Sequence, residues 1–119
     1  MARFLQLTDL HIVKEGARAS NVLDTRNILK AAIDRLISLN DALAPIDAVL
    51  ISGDLSDDGS ADSYSFLKEQ LSRLGLPMFI VPGNHDLREQ MRTAFSDICD
   101  MPGSGLIEWV RKIGNTVVI

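Results

Sequence analysis

The sequence predicts an α/β fold with a mostly parallel sheet, and three observations predict it. Apolar runs of strand length, at residues 3–8, 47–52 and 77–81, alternate with longer stretches whose apolar residues recur at helical spacing. Strand–helix–strand order of this kind closes through right-handed crossovers into a parallel sheet. All three runs also end in polar residues at a turn, and in open parallel sheets sites form beyond the carboxyl ends of the strands.

Taken in order, residues 3–8 form the first strand, and 12–23, with Gly16, Ser20 and Asn21 and no periodicity, a loop. Asp24 or Thr25 is placed to cap a helix over 25–43, whose stripe is Ile28, Leu29, Ala32, Ile33, Leu36, Ile37 and Leu43, with Pro45 marking its exit. The second strand, 47–52, leads to the turn Asp57-Asp58-Gly59-Ser60, and Ser60 is positioned as a cap. Tyr64, Leu67, Leu71 and Leu74 stripe a second helix that Gly75 ends. After the third strand, Leu87, Met91, Ala94, Phe95 and Ile98 mark a third helix. Residues 101–105 are a break, and 107–112 with 116–119 read as a hairpin around Gly114-Asn115.

Composition narrows the function. At 119 residues the chain suits one modest domain. A net charge of −4 argues against a nucleic-acid polymer as partner, since backbone binding needs cations. The single cysteine, Cys99, excludes an internal disulfide and fits a reducing compartment. There is no apolar run of membrane-spanning length and no signal-peptide stretch, so a cytoplasmic location without membrane contact is expected. The chain closes on apolar Val117-Val118-Ile119, and the expectation is a domain truncated at its C-terminus whose cut sheet exposes apolar surface and favours a homo-oligomer.

Chemistry concentrates in three clusters. Asp9 and His11 are two positions apart at a strand end, where alternation puts both on one side and lets them grip one metal ion; alternatively the Asp caps a turn and the His packs. Asp54, after Gly53, has two oxygens and can bridge two ions, or can bond loop amides. Asn84 offers a neutral oxygen for a hard ion or a phosphate, or serves the turn after Gly83. His85 can act as an acid near a leaving group. Asp86 can orient His85 or, with Glu89 three positions on, cap the third helix in a capping box. Taken jointly, three strand ends with donors for one site favour a metal centre. Asp, His and Asn suit manganese, iron or zinc, and two such ions can clamp a phosphoryl group for in-line displacement. No Gly-Lys-Ser/Thr phosphate loop or Gly-x-Gly-x-x-Gly turn is present, and Cys99, in a helix tail, does not read as a nucleophile.

In this order and spacing, Asp9-Leu10-His11, Gly53-Asp54 and Gly83-Asn84-His85-Asp86 resemble the calcineurin-like metallophosphoesterases. Leu7-Thr8-Asp9-Leu10-His11, Ser52-Gly53-Asp54-Leu55-Ser56-Asp57-Asp58-Gly59 and Val81-Pro82-Gly83-Asn84-His85-Asp86 are similar to the bacterial class III cyclic-nucleotide phosphodiesterase branch, and glycerophosphodiesterases carry similar text. The likeness runs to about Arg92. It implies the N-terminal half of a four-layer αββα sandwich, with a mostly parallel sheet, flanking helices and a C-terminal hairpin. It implies that Asp9 and His11 hold a first metal and Asp54 bridges to a second. Asn84 would hold that second metal and touch the phosphate, and His85, with Asp86 beside it, would face the leaving group. A hydroxide bridging two Mn, Fe or Zn ions would attack a small-molecule phosphodiester, 3',5'-cyclic nucleotides first among them. The alternatives are a glycerophosphodiesterase or general phosphoesterase, or a binding module of the same fold. The family carries further histidines downstream, whereas His11 and His85 are the only two here. The ligand set is therefore incomplete, and weak metal binding with little or no turnover is expected.

Overall fold

The computed structural model of the chain describes residues 1–39 and 45–119. Its elements follow the expected order: β1 (Phe4–Leu7), α1 (Thr25–Leu39), β2 (Ala48–Ser52), α2 (Ala61–Ser72), β3 (Met78–Val81), α3 (Arg88–Phe95), β4 (Arg111–Ile113) and β5 (Thr116–Val118). The expected stretch of first helix over 40–43 lies outside the described residues.

The fold is α/β. β1, β2 and β3 pair in parallel and in sequence order, with Phe4 opposite Ala48 and Val49 opposite Met78. Two same-handed crossovers that step the sheet in one direction leave their helices on one face. Val49, Ile51 and Ile80 accordingly share a single buried cluster with Leu29 and Ile33 of α1, Tyr64, Leu67 and Leu71 of α2, and Met91 and Phe95 of α3. Each such side chain contributes about 1.5–3 kcal/mol on burial, so this cluster holds the strand ends in register. The alternate residues Leu50, Phe79 and Val81 face the other way. With Trp109, Val118 and Ile119 they line a cavity of about 790 Å³.

Local chemistry explains the helix starts. Asp24 Oδ1 accepts from the Asn27 amide at 3.2 Å, a capping bond that holds its carboxyl below the usual range, while Thr25 Oγ1 donates to the His11 carbonyl at 2.9 Å. Ser60 caps α2 by accepting from the Ser63 amide at 3.1 Å. The capping box expected at α3 does not form. Leu87 occupies the cap position without a side-chain bond, because the Asp86 carboxylate is drawn elsewhere.

The hairpin is antiparallel as expected but shorter. Residues 107–110 are not a strand, because their side chains have other partners. Ile107 is buried in the helix-side cluster. Trp109 stacks on Phe79 with ring centroids 4.6 Å apart and donates its indole N–H to the Ile80 carbonyl at 3.3 Å. No helix among the described residues is long and apolar enough to cross a membrane.

Candidate metal centre

β1 and β2 continue to pair after their strands end. The Asp9 amide donates to the Gly53 carbonyl at 3.1 Å, His11 to Asp54 at 2.9 Å and Ile12 to Leu55 at 3.0 Å. These bonds hold Asp9, His11 and Asp54 in left-handed backbone conformations, with φ of 54°, 45° and 50°. Such conformations cost non-glycine residues about 1–3 kcal/mol each and persist only where the surroundings impose them. Asp9 and His11 thus converge through two backbone reversals rather than through the strand alternation expected from sequence.

The convergence is close. One ligand atom from each of Asp9, His11 and Asp54 lies within 4.8 Å of the others. His11 Nε2 stands 3.7 Å from Asp9 Oδ1 and 3.7 Å from Asp54 Oδ2. The other ring nitrogen, Nδ1, is 3.0 Å from Asp57 Oδ1. A proton on Nδ1 for that bond leaves the Nε2 lone pair free for a metal, the usual carboxylate–histidine–metal arrangement.

β3 delivers the third cluster. Its exit passes so close to β2 that a Cβ on Gly83 would lie 2.0 Å from Asp54 Oδ1 and 2.4 Å from the Asp54 nitrogen. Only glycine fits there. The His85 amide then donates to Asp54 Oδ1 at 3.1 Å. The imidazole of His85 meets that of His11 edge-on, with centroids 5.0 Å apart, and its Nδ1 is 3.4 Å from Asp57 Oδ1. Asn84 is exposed and lies between Gly83, which touches Asp54, and His85, which bonds it.

Two residues differ from expectation. Asp86 does not sit against His85. It is buried, and its carboxylate accepts from the amides of Leu55 (3.1 Å), Ser56 (3.0 Å) and Gly83 (2.9 Å) and from the Tyr64 hydroxyl (2.9 Å). Those amides lie about thirty residues upstream or at the preceding turn, so local spacing could not identify them. Asp57 is the residue that sequence reading missed. It is the carboxylate that contacts both histidines, at 3.0 and 3.4 Å. The acid was in view in Asp54-Leu55-Ser56-Asp57, but Asp57-Asp58-Gly59-Ser60 reads equally as a turn, and no local signal separates the two roles.

The donor set fits a divalent cation. Asp9, Asp54 and Asp57 surround the two imidazoles, and among the described residues no lysine or arginine pairs with any of the three. Three carboxylates gathered at one point form a negative pocket that a cation relieves. Around it, Asp58 braces the loop. Burial opposes its charge, but bonds from the Ser60 and Lys14 amides and the Ser63 hydroxyl outweigh burial and hold its carboxyl far below the usual range. Cys99 is buried, and burial, aided by Asp97, pushes its thiol up to about 11, which disfavours the reactive thiolate.

The family model described as calcineurin-like phosphoesterase matches residues 2–116. The 3',5'-cyclic adenosine monophosphate phosphodiesterase of Pseudomonas aeruginosa is 33% identical over 115 residues, which is 97% of this chain and 39% of that protein. A probable glycerophosphodiester phosphodiesterase of Arcobacter nitrofigilis is 32% identical over 93 residues, covering 78% of this chain and 33% of its own length. A 3',5'-cyclic-nucleotide phosphodiesterase of Nostoc is 36% identical over 81 residues, 68% of this chain and 29% of that protein. The chain therefore spans about a third of the length of the curated relatives it matches.

Proposed function

The chain belongs to the calcineurin-like phosphoesterase family, and we propose that it carries part of a two-metal site for hydrolysing phosphodiesters, with 3',5'-cyclic nucleotides as the substrate class. The observation that carries this reading is the meeting of Asp9, His11 and Asp54 with His85 at the strand ends. The relative matched over 97% of this chain, a cyclic adenosine monophosphate phosphodiesterase, favours the cyclic substrate.

In this reading Asp9 and His11 would hold one ion and Asp54 would serve both, while Asn84 would supply a neutral oxygen to the second ion and a contact to the phosphate. Divalent ions bound there lower the pKa of a water molecule and withdraw charge from the phosphoryl group. Asp57 keeps a proton on His11 Nδ1 and so turns Nε2 toward the centre. The same oxygen faces His85 Nδ1, so an imidazolium held by Asp57 presents its Nε2 proton to the departing oxygen. Asp86 acts as a brace between loops rather than as a proton carrier, because hydrogen-bond donors engage both its oxygens.

Two histidines leave the ligand set incomplete, so this stretch alone binds metal weakly and turns over slowly or not at all. The whole protein acts on small molecules in the cytoplasm, and the net charge of −4 on this chain disfavours nucleic-acid polymers. A glycerophosphodiester substrate is the second reading, favoured by the Arcobacter relative. The test loads the full-length parent protein with Mn²⁺ and compares hydrolysis of cyclic AMP with that of glycerophosphocholine. Metal-dependent cleavage of cyclic AMP that Asp54→Ala abolishes is the expected result. A preference for glycerophosphocholine supports the second reading, and a full rate in Asp54→Ala rejects the site.

A further inference from the structure

The Asp86 carboxylate is where three separate segments meet. Its Oδ2 accepts from Leu55 and Gly83, and its Oδ1 from Ser56. Leu55 and Ser56 directly follow Asp54, and Gly83 directly precedes Asn84. One side chain therefore ties the loop bearing Asp54 to the loop bearing Asn84 and His85.

The remaining contact comes from the helix layer. Tyr64 of α2 is fully buried, and its hydroxyl donates to Asp86 Oδ1 at 2.9 Å while accepting from the Leu87 amide at 3.0 Å. A phenol has one proton to give and lone pairs to receive, so both bonds are satisfied at once. The pair fixes Asp86 from its side chain and from the residue after it. Without the hydroxyl, Oδ1 keeps only the Ser56 amide and the Leu87 amide loses its partner. The carboxylate then keeps its three amide bonds but loses its anchor to α2, so the two loops it joins are no longer held at a fixed position against the helix layer. The bond that reads this directly is His85 amide to Asp54 Oδ1, at 3.1 Å, which joins the loops inside the centre itself.

We propose that Tyr64 is a positioning residue of the metal centre, acting through Asp86 to set the spacing between the Asp54 loop and the Asn84–His85 loop. This rests on the reading of the strand-end cluster as a metal centre. Tyr64 touches neither ion nor substrate. Its effect lies in holding donors at the separation a cation needs, a tolerance of about half an ångström.

The test compares Tyr64→Phe, which removes only the hydroxyl, with Leu71→Val, a buried change on the same helix that leaves every bond to Asp86 in place. Two quantities are read on the whole chain: amide hydrogen exchange of His85 by NMR, and Co²⁺ affinity by visible absorption. Tyr64→Phe is expected to speed His85 exchange about tenfold relative to Leu71→Val at matched melting temperature. It is also expected to weaken Co²⁺ binding about tenfold and alter the Co²⁺ spectrum. Equal values for the two variants overturn the proposal. If the unaltered chain takes up no Co²⁺, the metal reading fails, and His85 exchange alone decides Tyr64: acceleration supports the spacing role and no change rejects it. If Tyr64→Phe does not fold, Asp86→Asn carries the same comparison, with accelerated His85 exchange supporting the brace and unaltered exchange overturning it.

Discussion

Replacing Gly83 with alanine perturbs the centre at its tightest point. The new Cβ would stand 2.0 Å from Asp54 Oδ1, a side-chain atom that can rotate away, but also 2.4 Å from the Asp54 backbone nitrogen, which cannot. Restoring ordinary contact at 3.4 Å requires the ends of β2 and β3 to part by about 1.0 Å at that nitrogen. The crossing is tight from the other side as well, since a Cβ added at Gly53 would lie 3.1 Å from the Gly83 Cα. Overpacking of this kind costs about 1–3 kcal/mol, and in a domain of this size melting falls by roughly 5–15 °C. The shift also exceeds the half-ångström tolerance of a metal site, so Mn²⁺ affinity should fall by about tenfold or more. Gly103→Ala serves as control, since nothing lies within 4 Å of a Cβ there. Thermal unfolding and equilibrium dialysis with Mn²⁺ measure both effects. A Gly83→Ala chain as stable and as metal-competent as Gly103→Ala would refute the packing argument.

Other outcomes follow from the same geometry. Asp57→Asn should weaken Mn²⁺ binding about tenfold, because His11 Nδ1 loses its carboxylate partner; undiminished affinity in dialysis would remove Asp57 from the site. Alkaline stability should hinge on Tyr64. Burial chiefly, reinforced by the Asp86 charge against the opposing Leu87 amide, raises its folded pKa above the ordinary 10.0. A raised folded pKa gives stability that is complete below pH 10.0 and declines as pH climbs above it, so urea midpoints should drop above pH 10 in the native chain and far less in Tyr64→Phe. On the acid side Asp58 has a depressed folded pKa, so its contribution is present above 3.8 and disappears as pH falls below that value. Its exposure keeps that contribution small, and Asp58→Asn should flatten the urea midpoint only below pH 3.8.

Much of this architecture was legible in the sequence, for a physical reason. The strands are short apolar runs with punctuated ends, the stripes of α1 and α2 have clean helical spacing, and the Ser60 cap is a local interaction three residues long. Parallel order and handedness alone then place Asp9, His11, Asp54, Asn84 and His85 at one edge. What escaped was nonlocal. The spacing of Asp86 to Glu89 mimics a cap, yet its partners are Leu55, Ser56 and Tyr64, reached only through the fold. Asp57 looks like part of a turn until His11 and His85 arrive on either side of it. The reach of residues 107–110 was misjudged because Trp109 satisfies itself against Phe79 and Ile80 instead of in a strand ladder.

The most direct measurement is a map of Mn²⁺-induced line broadening across the backbone amide signals of the chain. Substoichiometric Mn²⁺ should erase His11, Asp54, Asn84 and His85 first, and Asp54→Ala should abolish that focus. Broadening spread evenly over surface acids, or centred away from the ends of β1, β2 and β3, would contradict the claim that these loops form one cation site.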